Sequence, residues 1–207
     1  MNFKMPTALI LVDLQNDFMP GGALAVPGGD QVVAYGNERA ASEDYDLVVA
    51  TQDWHPVGHG SFASSHSGKS PGEIIDLDGL PQILWPDHCV QDSPGASLHS
   101  GLDVAAIDLV IRKGSSPRVD SYSGFHDAAR RGSTGLAEAL RERGIGAVHV
   151  MGLATDYCVR FTAQDALDEG FHVTVLGAGC RAVDLAPGDG TRALEDLVAR
   201  GATLHSA

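Results

Sequence analysis

Several stretches of the chain are apolar without interruption and end on a polar or reactive residue. The run Thr7-Ala8-Leu9-Ile10-Leu11-Val12 ends at Asp13. Unbroken apolar patterning, rather than alternation, predicts a strand buried on both faces, as in a parallel sheet. Similar runs lie at 46–51 (ending in Gln52-Asp53-Trp54-His55), 108–112 (ending in Lys113-Gly114), 146–150, 172–176 and, shorter, 202–205. Between them, helical spacing appears over about 30–42, 134–143, 161–169 and from Asp189 or Thr191 to a stop at Gly201. Leu136 and Leu140 face inward on the second of these helices, and the last presents Leu194, Leu197 and Val198. Residues 56–104, rich in Gly, Ser, Pro and His, show no sustained period, and a long irregular stretch inside a domain is usually functional.

Strands alternating with helices predict an α/β fold in which right-handed crossovers cover a parallel sheet on both sides. Open sheets of this kind bind ligands beyond the carboxyl ends of their strands. Asp13, Asp53, Lys113 and Cys158 all fall at or just after such ends, so one crevice should gather all four. Cys158 lies between a predicted strand and a predicted helix. There the unpaired backbone N–H groups and the helix dipole bias a thiol towards thiolate and can hold an oxyanion. A lone cysteine is more often a structural one; its company at the strand ends decides otherwise. Asp13, buried behind its apolar run, needs a partner, and Lys113 is the obvious one. Beside a nucleophilic cysteine, Asp13 can take and return the thiol proton while Lys113 orients it. Asp53 and His55, with His88 further on, form a carboxylate and two-imidazole set that suits zinc, iron or manganese. His59 and His66 read as solvated loop histidines. Cys89 reads as a buried thiol beside a ligand, and Cys180 as part of a turn after Gly177-Ala178-Gly179.

Composition narrows the partners. The chain has 207 residues, 43% hydrophobic, enough for one domain (1–207) with a full core. Its formal net charge of −13 argues against nucleic acid and is compatible with a small neutral substrate. No apolar run reaches membrane-spanning length, and Met1-Asn2-Phe3-Lys4-Met5-Pro6 leads straight into a strand without a signal peptide. Three widely spaced cysteines fit a reducing cytoplasm better than a disulfide framework. Nothing in the chain chooses between a monomer and a homo-oligomer.

The blocks Leu11-Val12-Asp13-Leu14-Gln15-Asn16-Asp17-Phe18, Gln52-Asp53-Trp54-His55-Pro56, Trp85-Pro86-Asp87-His88-Cys89-Val90, Arg112-Lys113-Gly114 and Gly152-Leu153-Ala154-Thr155-Asp156-Tyr157-Cys158-Val159 closely resemble the nicotinamidase branch of the isochorismatase-like hydrolases. The resemblance runs from about residue 7 to 205, in order. It implies a Rossmann-like three-layer fold with a six-stranded parallel sheet, and a metal-dependent amidase converting nicotinamide, and pyrazinamide, to the acid and ammonia through a thioester. It implies Cys158 as nucleophile, Asp13 as general base and acid, and Lys113 as their partner. Asp53, His55 and His88 would hold one divalent ion, with Ser61, His59 or water near a further ligand position. Phe18, Trp85, Ala154 and Tyr157 would bind the ring. The Leu153–Ala154 peptide would be cis, and the N–H groups of Ala154 and Cys158 would form the oxyanion hole. Related amidases for carbamoyl or ureido substrates typically lack the metal ligands, and isochorismatases lack the cysteine, so Asp53, His55, His88 and Cys158 favour the nicotinamidase reading. A non-catalytic metal- or thiol-binding module would have no use for the full Asp13, Lys113 and Cys158 set.

Overall fold

The computed structural model describes residues 5–206; Met1–Lys4, read above as leading into the first strand, lie outside them. The chain runs β1 (Thr7–Val12), α1 (Gln31–Ala40), β2 (Leu47–Asp53), β3 (Ile74–Leu77), β4 (Leu80–Ile83), β5 (Leu109–Lys113), α2 (Leu136–Glu142), β6 (Ala147–Leu153), α3 (Arg160–Asp168), β7 (His172–Arg181), α4 (Asp189–Ala199) and β8 (Thr203–His205). Six strands form one sheet in the order β5-β2-β1-β6-β7-β8, every neighbouring pair parallel. β1 and β2 are buried along their whole length, which is why their patterns are continuous rather than alternating.

The strand order places the topological switch point between β1 and β6. From β1 the chain moves one way to β2 and β5, then crosses to β6 and continues the other way to β7 and β8. Right-handed crossovers put α1 on one face and α2, α3 and α4 on the other. The packing agrees: Gly36 of α1 lies against Leu11, Leu14 and Met151, whereas Thr51, which points to the opposite face, meets the Gly124 segment beside Leu136 and Thr162. The core is therefore a three-layer sandwich whose central strands open onto one crevice at their carboxyl ends.

Three details differ from the sequence reading. Residues 56–104 contain an antiparallel hairpin, β3–β4, closed by Asp78-Gly79, both at positive φ. β7 does not stop at Leu176. A bulge lets Val150 pair with Val175 while Gly152 pairs with Cys180, so Gly177-Ala178-Gly179 is strand and not turn. Small residues are needed there because a Cβ on Gly179 would sit 2.8 Å from Met151 and from Tyr35. Finally, neither Asp189 nor Thr191 caps α4 with its side chain. The Asp189 carboxylate instead accepts the Ala186 N–H and pairs with Arg192.

Candidate active site

β1 ends at Val12, and Asp13 turns off the strand in the left-handed region at φ 51°, a conformation aspartate tolerates better than bulkier residues. Beside it, β6 passes so close that a Cβ on Gly152 would be 2.1 Å from the Val12 carbonyl oxygen. Asp13 is fully buried, and Thr51 brackets it: the hydroxyl donates to Oδ1 at 2.5 Å and accepts the Asp13 N–H at 3.2 Å. Lys113, at the end of β5, reaches past β2. Its Nζ lies 2.9 Å from Asp13 Oδ2 and donates to Asp53 Oδ1 at 2.5 Å, to the Ser121 carbonyl at 3.0 Å and to Cys158 Sγ at 3.3 Å. The Asp13 Oδ2 atom accepts no aligned hydrogen bond, although buried. Its close partner is the Lys113 ammonium, and the Asp13 carboxylate lies within 4.8 Å of Cys158 Sγ, where it can receive a proton.

Cys158 lies in a single π-helical turn, Thr155–Val159, between β6 and α3. Such one-turn insertions are frequent at functional sites. The Leu153–Ala154 peptide is cis. The expected thiolate bias is not found. Burial pushes the Cys158 thiol well above its ordinary value, Lys113 lowers it less, and Asp13 and Asp53 raise it further. Desolvation and the two carboxylates therefore work against the thiolate, and Lys113 works for it. Burial likewise raises Asp13 against the pull of Lys113. At Asp53 burial also acts upward, but Lys113 and His55 overcome it and hold the carboxyl well below the usual range. At Lys113 burial acts downward, yet Asp13 and Asp53 keep the ammonium far above its ordinary value.

The second group begins two residues past β2. The His55 backbone pairs with the segment after His88, giving its N–H to the Cys89 carbonyl at 3.0 Å and accepting from the Gln91 N–H at 2.8 Å. That pairing sets the two imidazoles side by side. His55 Nδ1 donates to the Gly114 carbonyl and His88 Nδ1 to the Pro86 carbonyl, each at 2.8 Å. Both Nε2 atoms are then bare acceptors facing Asp53 Oδ2, at 3.7 and 3.8 Å. Gly114 must be glycine, since a Cβ there would be 2.5 Å from the His55 ring. With bonds of about 2.0–2.2 Å, three donors at these separations can share one divalent ion, and the Nδ1 bonds fix the tautomers that ligation requires. The charges point the same way: Asp13 and Asp53 face one ammonium, so the buried group carries an excess of negative charge that a cation would offset.

His59 is not a free ligand. Its Nδ1 accepts the Ser61 N–H at 3.1 Å and bonds the Ser61 hydroxyl at 2.7 Å, and its Nε2 donates to the Ser116 carbonyl at 2.8 Å. It is buried against His55 rather than solvated. The Ser61 hydroxyl gives its proton to the contact with His59 Nδ1. His66 Nε2 donates to the Gly60 carbonyl at 2.8 Å.

Phe18, Trp85, Ala154 and Tyr157 line one narrow cleft with Cys158, Asp53 and His88. Tyr122, Leu24, Val26 and Val183 complete it, and none of these four is marked by its sequence surroundings. Tyr122 holds a wall in place, its hydroxyl accepting from Trp85 Nε1 and from Gln82 Nε2 of β4, each at 3.0 Å. A roomier surface groove of about 450 Å³ runs past Phe161, His126 and Arg200, but it contains no thiol and none of Asp13, Asp53 and Lys113.

A buried thiol, carboxylate and lysine at the switch point of a parallel sheet, beside three convergent metal donors, define a cysteine hydrolase of the α/β class. The chain belongs to the isochorismatase domain family, whose pattern matches residues 7–207. It is 53% identical to a nicotinamidase of Escherichia coli (strain K12), over 97% of this chain and 95% of that one. Two solved structures share the fold closely. One is PnC1 from L. infantum in complex with nicotinate, with a TM-score of 0.85 and 39% identity over 99% of this chain and 94% of that one. The other is the pyrazinamidase of Pyrococcus horikoshii in complex with zinc, with a TM-score of 0.78 and 41% identity over 97% and 99%.

Proposed function

We propose that this site hydrolyses the carboxamide of nicotinamide to nicotinate and ammonia, and that of pyrazinamide likewise. The observation that carries the reading is the fully buried Asp13 carboxylate, paired with the Lys113 ammonium beside the Cys158 thiol that the same ammonium contacts. Asp13 takes the Cys158 proton as sulfur attacks the amide carbon. The backbone N–H groups of Ala154 and Cys158 hold the resulting oxyanion. Asp13 then gives its proton to the leaving nitrogen, and ammonia departs from a thioester. Water, losing a proton to Asp13, adds to the thioester, and collapse returns that proton to sulfur with release of the acid. Lys113 keeps Asp13 and the reacting sulfur in one electrostatic unit throughout.

Asp53, His55 and His88 hold the ion, of which zinc, iron or manganese would suit the donors; the zinc complex of the Pyrococcus horikoshii relative favours zinc. When bound, the ion supplies a Lewis-acidic position for the ring nitrogen. Phe18 and Trp85 flank the ring, and Tyr157, 4.9 Å from Trp85 edge to face, braces that wall.

The whole is a single-domain enzyme, and its negative charge suits a small neutral substrate rather than nucleic acid. No described helix is long and apolar enough to cross a membrane, and three free cysteines suit the cytoplasm. Purified protein incubated with nicotinamide should release ammonia and nicotinate in equal amounts. Turnover of a ureido substrate with none of nicotinamide would overturn the reading.

A further inference from the structure

Asp53 is asked to do two things: its Oδ1 holds Lys113 and its Oδ2 faces the two histidines. Its backbone is correspondingly constrained. A strand residue sends its N–H and C=O to the same side, and at Asp53 both point towards β1. But β1 has already ended; the last β1–β2 pair is Leu11 with Ala50. The missing strand is replaced by one side chain. Gln15 Oε1 accepts the Asp53 N–H at 2.8 Å, and Gln15 Nε2 donates to the Asp53 carbonyl at 2.8 Å. The same Nε2 donates to the Ala96 carbonyl at 2.8 Å, so the whole amide is used. Gln15 is fully buried and lies outside the substrate cleft. Two residues on, Asp17 does the same for the other ligand loop. Its Oδ2 accepts the Cys89 N–H at 2.7 Å, where Cys89, next to His88, is held in the left-handed region at φ 46°.

We infer that Gln15 and Asp17 are positioning residues that hold Asp53 and His88 in register for the metal ion and, through Asp53, fix Lys113 against Cys158. Asp13, Gln15, Asp17 and Phe18 then form one continuous clamp after β1, serving both halves of the site. Only a residue carrying a donor and an acceptor in one plane can replace a strand on both sides of a peptide, which is what glutamine offers and an apolar isostere does not.

The test uses the full chain, stripped of metal and titrated with Zn²⁺ in competition with a chromophoric chelator. Circular dichroism and thermal melting establish that each variant is folded. Loss of a group that orients a metal ligand typically weakens affinity about 10–100-fold. Gln15→Met should fall in that range, and Asp17→Asn should weaken binding by a smaller factor. Gln15→Met should also lower kcat for nicotinamide, because Lys113 loses its orientation, and not merely raise KM. Should Gln15→Met fail to fold, Gln15→Asn keeps the amide one methylene short of its partners and should weaken Zn²⁺ in the same direction. Zn²⁺ affinity within twofold of the parent in a folded Gln15 variant, with only the melting temperature reduced, would show a purely structural residue and overturn the inference. The inference rests on the metal reading above: a parent chain that binds no ion would sink that reading, whereas equal binding by parent and variant would sink this one.

Discussion

Asp13, Lys113 and Cys158 hold one another, whereas His55 and His88 are each held by a backbone carbonyl through Nδ1. The first group is a buried knot of charge at strand ends. The second is a rigid cup on loops, whose imidazoles are oriented whether or not anything lies between them. Removing a member from the knot strands a buried charge or loses the reacting atom. Removing a member from the cup leaves the other orientations intact and weakens only what the cup holds. The two halves should therefore respond to mutation differently, and Asp53, which belongs to both, is where the distinction ends.

The largest effect should come from the sulfur itself. Cys158→Ala should lower kcat by roughly 10⁴-fold or more, the scale seen when a nucleophile acting within a unit is deleted. The fold and the affinity for Zn²⁺ should be retained. Intact-mass measurement after rapid quench should find an acyl adduct on the parent and none on the variant. Activity within tenfold of the parent would refute the nucleophile assignment.

Next come the charges around it. Asp13→Asn should be nearly as damaging to turnover as loss of the thiol, and combining the two should add little, since both serve one proton transfer. Lys113→Ala should cost stability as well, about 3–5 kcal/mol, because it leaves Asp13 and Asp53 buried without their cation. Chemical denaturation reads the second quantity and steady-state kinetics the first. Losses that multiply independently across Asp13 and Cys158 would break the picture of a single knot.

The cup should give a smaller and more selective effect. Misalignment of a bound ring costs on the order of a hundredfold, so His88→Ala, or stripping with a chelator, should reduce nicotinamide and pyrazinamide hydrolysis by about that factor. Benzamide lacks a ring nitrogen, and picolinamide presents its nitrogen in the wrong relation to the carboxamide. Both should be poor substrates of the parent, and benzamide should be almost indifferent to the ion. Equal proportional losses for all amides would instead point to a metal-bound hydroxide as attacking group.

This contrast also explains what could be read from sequence. The reactive residues were legible because each follows an apolar run, and a parallel sheet turns the ends of such runs into one crevice. Asp13, Asp53, Lys113 and Cys158 meet as that rule requires. The supports were not legible, because each acts across a long interval of chain. Nothing around Gln15 announces that its amide replaces a strand on Asp53, 38 residues away. Nothing local says that Gln82 of the β3–β4 hairpin braces Tyr122 and, through it, Trp85. The helix-terminus argument at Cys158 took no account of burial, a tertiary property that pushes the thiol the other way. The same blindness misplaced Cys180: its small neighbours suggest a turn, but the space left by Met151 and Tyr35 makes them strand.

Cys180 supplies the smallest effect and the sharpest control, being a thiol as buried as Cys158 but without Asp13 and Lys113 beside it. Its Sγ donates to the Leu176 carbonyl at 3.3 Å, and burial pushes it up to about 12 from an ordinary value of 9.0. Cys180→Ala should leave kcat within about twofold of the parent and cost roughly 1 kcal/mol at neutral pH, the scale of a small core truncation. Its pH signature is more specific. A thiol whose proton is held more tightly in the folded chain stabilises fully below the unfolded value, near 9, and that contribution is lost as pH rises towards 12. Denaturation midpoints of the parent should therefore fall steadily from pH 9 to 11. Cys89 and Cys158, both also raised by burial, contribute to the same limb and remain in the variant, so Cys180→Ala should make the fall shallower without abolishing it. Parallel alkaline limbs in parent and variant would show that Cys180 ionises as freely in the folded chain as in the unfolded one. A tenfold loss of turnover would show that burial alone does not separate a structural thiol from the reacting one.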